Sequence, residues 1–242
     1  MGNKNFGTKK VNYLPITLVL FACIVTVTLA FIFGSDWASG FFKLSGKVDI
    51  EAVGKGDSYS SIEDRGSVSN LKIELDRDYP VLISNMPIRI DVNCKVKKSS
   101  TKPLLRAKFS LEILEKDTGN QFQEPEGKNI FDDLNNKLKT TITNNSNWYL
   151  FSDGFYYYIE SFDETNAGDS FLKEIDATSG DVIVPFIAES ITFSKDVDNT
   201  YSGLEINISI TFQAIQNFIP DDNGVELPKT ITNSQKIFSD FT

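Results

Sequence analysis

The chain has 242 residues, with 33 acidic and 24 basic side chains, and its formal net charge is −9. An acidic surface of this kind repels nucleic acid and anionic lipid headgroups, so we expect neither as a partner of that surface. The chain contains no histidine, which excludes Ser-His-Asp and Cys-His catalytic groups in their usual forms and zinc sites built on imidazole. We therefore predict a protein that is not an enzyme.

The N-terminal segment predicts export from the cell. Residues 11–34 carry no charged side chain, and residues 14–33 as a helix would cross roughly 30 Å of hydrocarbon. Lys9 and Lys10 precede this run, so the positive-inside rule places the N-terminus in the cytoplasm and the rest outside. Residues 1–34 are thus predicted to be a transmembrane anchor or a signal peptide of an extracellular, cell-surface protein. Retention and cleavage both remain open, because the run is long for a signal peptide but small residues follow it.

The rest of the chain predicts antiparallel strands after a short extended spacer at residues 35–45. Several stretches alternate apolar and polar side chains, which is typical of a strand with one buried face and one face in water. The long ones are residues 88–96, 105–113 and 204–214, and shorter candidates are 46–53, 71–75, 155–159, 181–186, 191–194 and 231–238. About eight to ten short strands predict a mainly β fold over residues 46–242, an antiparallel β-sandwich with a barrel as the alternative.

One segment departs from this alternation. Its apolar residues recur at helical spacing, and they are Ile130, Phe131, Leu134, Leu138 and Ile142. We predict one amphipathic helix here, inserted in a crossover between sheets, and surface loops at residues 54–70 and 117–129. Cys94 falls within an alternating strand and has no partner in the exported part, so we predict a small buried hydrophobic residue.

Oxygen-bearing side chains crowd one glycine-containing loop. Asp163, Glu164, Asn166 and Asp169 carry the ligand atoms that calcium prefers, and the loop could hold that ion in an irregular site. The alternative is a solvated turn in which these groups bond to the loop itself and to water. We expect no other cofactor.

Aromatic side chains concentrate in one short segment. If they are exposed they could stack on the apolar faces of sugar rings, and the candidate contact residues are Trp148, Tyr149, Tyr156 and Tyr158. The alternative is a hairpin in which Asp153 and Gly154 make the turn and the rings alternate between core and surface. The composition of the segment alone favours the hairpin, and the contact surface remains open as the alternative.

Short motifs along the chain carry a family resemblance. They are Trp148 with Asp153-Gly-Phe-Tyr-Tyr-Tyr158, Phe171-Leu-Lys-Glu-Ile175, Ile210-Thr-Phe-Gln-Ala-Ile-Gln216, and Thr28-Leu-Ala30 ahead of Ala38-Ser-Gly-Phe-Phe-Lys-Leu-Ser45. Together they resemble exported Firmicute proteins of the TasA/camelysin type. Those proteins often have a Pro-Gly-Asp turn before their second long strand, where this chain has Tyr79-Pro-Val-Leu-Ile-Ser84.

The resemblance implies a jelly-roll-like sandwich that is exported through a dedicated signal peptidase and builds surface or biofilm fibres. In such fibres one subunit donates an extended strand that completes an open hydrogen-bond ladder in the next. The spacer would be the donor, with Ala38, Phe41, Phe42 and Leu44 as assembly residues. The implied partners are other copies or other surface proteins, and the membrane through the N-terminal helix.

Two functions remain open on these grounds. The first is a structural subunit of a fibre or biofilm matrix that assembles by strand exchange. The second is a membrane-anchored extracellular binding module, an adhesin or carbohydrate-binding domain, that uses the aromatic segment as its contact surface. Cleavage of the leader favours the first function, and its retention favours the second.

Overall fold

The computed structural model describes most of the chain after the predicted leader and spacer. The described residues are 47–63, 66–75, 87–99, 101–144, 147–187, 190–192 and 199–239. They all belong to one compact unit, residues 46–242. The leader predicted at residues 1–34 and the spacer predicted at 35–45 lie outside the described residues.

Antiparallel strands dominate the described part of the chain. The strands are β1 (Ile50–Gly54), β2 (Asp57–Glu63), β3 (Gly66–Glu74), β4 (Pro87–Arg89), β5 (Val92–Val96), β6 (Leu104–Glu115), β7 (Trp148–Leu150), β8 (Tyr156–Ser161), β9 (Phe171–Leu172), β10 (Val182–Ile187), β11 (Ser190–Thr192) and β12 (Leu204–Ile215). The described residues also form two α-helices, α1 (Ile130–Asn144) and α2 (Ile231–Phe238). Because every strand pairing is antiparallel, the prediction of a mainly β, antiparallel fold is confirmed.

The strands form one large sheet and two smaller ones. The large sheet has the order β2-β3-β12-β6-β8-β7, with β9 paired to β8. A second sheet has the order β1-β5-β10, and β4 pairs with β11 apart from both. Residues 88–96, predicted as one strand, are divided between β4 and β5 in different sheets. Two antiparallel sheets that share a core are consistent with a β-sandwich.

The main core lies between the two larger sheets and α1. Alternate residues of the long strands point into it, since side chains of a strand alternate between its faces. The core includes Ile206, Ile208, Ile210 and Phe212 of the large sheet and Val92, Cys94, Val96, Val184 and Phe186 of the smaller one. Each of the buried Val, Ile and Phe side chains contributes about 1.5–3 kcal/mol through burial. The predicted burial of Cys94 is confirmed, and burial raises the pKa of its thiol.

Helix α1 closes one side of this core. It buries Ile130, Leu134, Leu138 and Ile142, which confirms the predicted amphipathic helix. The N–H groups of Ile130 and Phe131, in the first turn of the helix, have no acceptor within the helix. They donate instead to the carboxylate of Glu124 at 2.9 and 3.4 Å. The loop predicted at residues 117–129 therefore holds the start of the helix in place.

A second, smaller core lies on the opposite face of the large sheet, beneath α2. It consists of Leu104, Tyr157, Leu172, Ile215, Ile219, Ile231, Ile237 and Phe238. The sequence predicted a strand at residues 231–238, and that prediction is wrong. The Thr230 hydroxyl caps a helix by accepting from the N–H of Asn233, and the buried residues recur at helical spacing along one face.

Serine hydroxyls accept hydrogen bonds from the backbone N–H groups at the outer edge of β1. The N–H groups of Ile50 and Ala52 donate to the hydroxyls of Ser67 and Ser69 at 3.3 and 2.7 Å. The Ser67 hydroxyl in turn donates to the carbonyl of Ser61 on β2 at 2.9 Å. Both serines are fully buried, so their hydroxyls replace the backbone partners that a neighbouring strand would otherwise supply.

These serines also explain an error in the sequence prediction. Residues 54–70 were expected to form a surface loop, but most of them belong to β2 and β3. A run rich in serine and charged residues has low strand propensity and shows no apolar alternation. Here the hydroxyls hold two strands against β1, so the polar residues belong to the sheet itself.

Among the described residues, the core contains one hydroxyl without a hydrogen-bond partner, and its removal should stabilise the fold. The Tyr156 hydroxyl is buried with no hydrogen-bond partner among the described residues, and burial raises its pKa to about 12. Because Tyr156→Phe removes only this group, we expect the free energy of unfolding to rise by about 1 kcal/mol. Urea unfolding of both proteins measures the difference.

The adjacent tyrosine is a matched control. The Tyr157 hydroxyl donates to the Asp153 carboxylate at 2.8 Å and accepts from Arg106 at 3.3 Å. Tyr157→Phe should lower the free energy of unfolding by about 1–2 kcal/mol, because it leaves the buried Arg106 guanidinium without that partner. A Tyr156→Phe protein less stable than the wild type would contradict this description of the core.

Candidate functional site

Strand β6 is longer than the strand that covers its outer side. Its 12 residues pair with β12 over their whole length, whereas β8 pairs only with Arg106 and Ala107. The hairpin between β7 and β8 reverses at this point: the N–H of Phe151 donates to the carbonyl of Phe155 at 2.9 Å, and Gly154 has φ +81°. A left-handed turn residue favours glycine, so this Gly fixes where the hairpin ends.

The other end of β6 is covered by the chain that follows it. The N–H of Phe122 donates to the carbonyl of Ile113 at 3.0 Å, and the N–H of Glu115 donates to the carbonyl of Asn120 at 2.8 Å. Residues 108–112 lie between these two covered ends. Among the described residues, none pairs with this stretch on the side away from β12.

The direction of the backbone groups in this stretch follows from the neighbouring bonds. Lys116 donates its N–H to Gly203, on the β12 side, whereas Ile113 and Glu115 bond on the open side. Backbone groups of successive strand residues point alternately to the two sides. The N–H and carbonyl groups of Phe109 and Leu111 therefore point to the open side.

The open edge borders a groove of about 480 Å³, which we name the β6 groove. Its lining residues are Lys108, Phe109, Ser110, Leu111 and Ile113 of β6, Phe131, Asp132, Asn135 and Lys139 of α1, and Leu150, Gly154 and Tyr156 of the hairpin. Phe109, Leu111, Phe131 and Leu150 pack against the main core but remain partly exposed. An apolar surface thus adjoins two residues, Phe109 and Leu111, whose outward backbone groups have no partner among the described residues.

This combination fits an extended polypeptide better than a small polar ligand. A strand entering the groove would pair with Phe109 and Leu111 through its backbone, and its alternate side chains would cover the partly exposed apolar rings. Asp132 and Lys139 on α1 would lie beside its polar positions. The groove contains no histidine, since the chain has none.

A buried cation lies behind the hairpin, on the opposite face of the large sheet. The guanidinium of Arg106 donates to the Gln213 side chain at 2.6 Å and to the carbonyl of Phe238 at 2.9 Å. It also lies 3.8 Å from the ring centre of Phe155 and 4.5 Å from that of Phe238. Burial lowers the pKa of Arg106, and the Tyr157 hydroxyl opposes this shift. Arg106 therefore joins β6, the hairpin and α2.

The hairpin turn has a second attachment to α2, through Asp153. Its carboxylate accepts from the N–H of Phe155 at 3.0 Å, from the Tyr157 hydroxyl at 2.8 Å and from the Gln235 amide at 2.9 Å. The first bond shapes the turn, and the third ties it to the helix. The hairpin turn that ends the β6 groove is thus bonded to α2, which packs on the opposite face of the large sheet.

The sequence predicted an aromatic contact surface made by Trp148, Tyr149, Tyr156 and Tyr158. For Trp148 and Tyr156 that prediction is wrong, because both side chains are buried. Trp148 and Tyr156 are only 2% and 1% exposed, and the Trp148 indole donates to the carbonyl of Pro185 at 2.8 Å. Tyr149 and Tyr158 are half-buried. The predicted hairpin with Asp153 and Gly154 in its turn is confirmed. The rings alternate between the two cores, and not between core and surface as predicted, because both faces of the paired strands are covered.

One exposed ring nearby was missing from the sequence prediction. Phe162 is 48% exposed, and its ring centre lies 4.7 Å from that of Tyr149. It follows the end of β8, so the alternation of the strand gave no sign of its exposure.

The calcium candidates Asp163, Glu164, Asn166 and Asp169 occupy a loop that ends in a 3₁₀ turn. The Asp163 carboxylate accepts from the N–H groups of Thr165 and Asn166 at 2.8 and 3.0 Å, and Asn166 bonds the N–H of Gly168 and the Asp169 carboxylate. These bonds match a solvated turn. Within the described ranges there is no cluster of three or more acidic, histidine or cysteine residues that could hold a metal, and calcium binding stays a prediction.

The predicted assembly residues Ala38, Phe41, Phe42 and Leu44 lie outside the described residues. In the part of the chain that the structure describes, no helix has both the length and the apolar character needed to cross a membrane. No protein-family model, curated protein or solved structure matches this chain. The TasA/camelysin-type resemblance therefore stays a prediction.

The contacts of Arg106 predict that its guanidinium cannot be replaced by an amine. Arg106→Lys should lower the free energy of unfolding by about 2 kcal/mol, since one ammonium cannot reach Gln213, Tyr157 and Phe238 together. Lys108→Arg, two residues along the same face and exposed, is the control and should change little. Equal stability of Arg106→Lys and wild type in urea unfolding would show that the contacts of Arg106 are dispensable.

Proposed function

We propose that this protein is an exported, cell-surface structural subunit that joins other copies by strand exchange, in a fibre or a biofilm matrix. The observation that carries the proposal is the β6 groove, an open strand edge beside a partly exposed apolar surface. In this proposal the unit is a jelly-roll-like sandwich, and the N-terminal leader delivers it through the membrane.

Two other strand edges have their outward backbone groups bonded or removed, and this contrast supports the role proposed for β6. The outer N–H groups of β1 are bonded to buried serine hydroxyls. On β10, Pro185 has no N–H to offer, and its carbonyl accepts from Trp148. Protected edges of this kind prevent unwanted pairing between chains. An edge left open above an apolar groove is the natural place for a specific partner strand.

The spacer supplies a donor with suitable chemistry. Between residues 35 and 45 it carries Phe41, Phe42, Lys43 and Leu44. In an extended strand, Phe42 and Leu44 would point to one face and could cover Phe109 and Leu111 of the next copy. Lys43 would point to the opposite face, away from the core. Cleavage of the leader would free this segment.

A proline in the open edge tests the proposal. Leu111→Pro removes an N–H that has no partner within the described unit and places the proline ring where the donor strand would pair. Leu111→Val keeps the N–H and is the matched control. We expect the cleaved wild type and Leu111→Val to assemble, and Leu111→Pro to need roughly tenfold more protein, by sedimentation and electron microscopy.

Circular dichroism and urea unfolding of the same proteins separate assembly from folding. Leu111→Pro should keep the secondary structure of the wild type, because the lost N–H faces away from β12. Assembly of Leu111→Pro at the wild-type concentration would contradict strand exchange at this edge.

A second candidate function is the membrane-anchored binding module, with a sugar or surface polymer as ligand. The exposed Phe162 ring beside Tyr149 favours it, since stacked aromatic rings suit the apolar faces of sugars.

Mass spectrometry of the native N-terminus distinguishes the two functions. A start between residues 31 and 41, in material released from the membrane, supports the subunit, whereas an intact leader confined to the membrane supports the anchored module.

A further inference from the structure

We propose that the C-terminal helix α2 is a positioning element for the β6 groove, which holds the end of the groove in the shape that accepts an extended segment. This inference rests on the proposed function, because it assigns a regulator to the same site. Gln235 of α2 and Arg106 beneath it are the positioning residues.

The first step is that the hairpin turn forms one end of the groove. Gly154 and Tyr156 line it, and the pairing between β8 and β6 stops at Tyr156 and Ala107. A shift of the turn toward β6 would narrow the entrance beside Phe109, and a shift away would remove the end wall. The affinity for a strand therefore depends on where the turn is held.

The second step is that two contacts from the opposite face hold this turn. The Gln235 amide donates to the Asp153 carboxylate at 2.9 Å. The Arg106 guanidinium lies between the rings of Phe155 and Phe238 and donates to the carbonyl of Phe238. Both contacts join the turn to α2, one directly and one through a side chain of β6.

The third step is that α2 depends on its packing. It has 8 residues, and helices this short are marginal in water without tertiary contacts. Its buried residues Ile231, Ile237 and Phe238 supply those contacts in the second core. Because coupling between two sites is reciprocal, a strand that binds the groove and fixes the turn must also stabilise α2.

Substitutions at Gln235 test this coupling with little risk to the fold, since its side chain is partly exposed. The full chain in detergent is titrated with a fluorescent synthetic peptide of residues 36–45, and binding is followed by anisotropy. We expect Gln235→Ala to weaken binding by roughly fivefold. Gln235→Glu should weaken it further, because it places a second carboxylate beside Asp153.

Lys236→Ala is the matched control on the same helix. Lys236 bonds to Asp222 at 2.7 Å and is largely exposed, so its loss should leave peptide binding unchanged. Amide exchange in α2 gives a readout that a purely structural role would not move: peptide binding should slow exchange in α2 of the wild type and should not do so in Gln235→Ala.

The outcomes separate this inference from the proposed function. Weaker binding by both Gln235 variants, with unfolding curves and Lys236→Ala like the wild type, supports α2 as the positioning element. Equal binding by wild type and Gln235→Ala overturns the inference and leaves the groove as the acceptor. Loss of binding by Lys236→Ala as large as that of Gln235→Ala also overturns the inference, because the effect is then not specific to the contact with Asp153. Failure of the peptide to bind the wild type overturns the proposed function, and the inference with it.

Discussion

The full-length pairing of β6 with β12 is the constraint on which the rest of the structure depends. Each strand has 12 residues, and their inward side chains supply much of the main core. β12 is covered by β3 on its other side over nine register positions. On its other side, among the described residues, β6 is covered only at its two ends, by the hairpin that reverses at Gly154 and by the chain that follows β6. The open edge follows from this difference in length.

The strand edges of the structure differ in which groups bond to their outward backbone atoms. At β1, buried serine hydroxyls take the place of a neighbouring strand, and at β10 a proline and a tryptophan indole occupy the edge. Each arrangement satisfies backbone groups that would be costly to bury alone. Phe109 and Leu111 lack such an arrangement among the described residues. This contrast connects the fold to the proposed function.

The second core gives the large sheet different chemistry on its two faces. On one face apolar residues pack between the sheets, whereas the other combines apolar residues under α2 with a buried guanidinium. Arg106 has aromatic, amide, hydroxyl and carbonyl partners, and the Tyr157 hydroxyl links it to the carboxylate of Asp153. Removing one partner of such a network leaves other buried groups unsatisfied. The hairpin, β6 and α2 are therefore expected to respond together.

Much of the fold could be predicted from the sequence because its long strands alternate cleanly. The strands at residues 105–113 and 204–214 and the helix containing Leu134 and Leu138 were found from periodicity alone. β2 was predicted as a loop, because its serine-rich sequence shows no apolar alternation. α2 was predicted as a strand, because a helix of eight residues is too short for its apolar spacing to be distinctive. The candidate site could not be predicted at all, because alternation shows which side chains face the core but not which backbone edge lacks a neighbour.

Amide hydrogen exchange at Phe109, Ser110 and Leu111 tests the open edge most directly. The N–H of Ser110 points toward β12, so it should exchange slowly in every state and serves as the internal reference. We predict fast exchange at Phe109 and Leu111 in the unassembled protein and slow exchange once copies have joined. Slow exchange at both residues in the unassembled protein would contradict an open edge at β6.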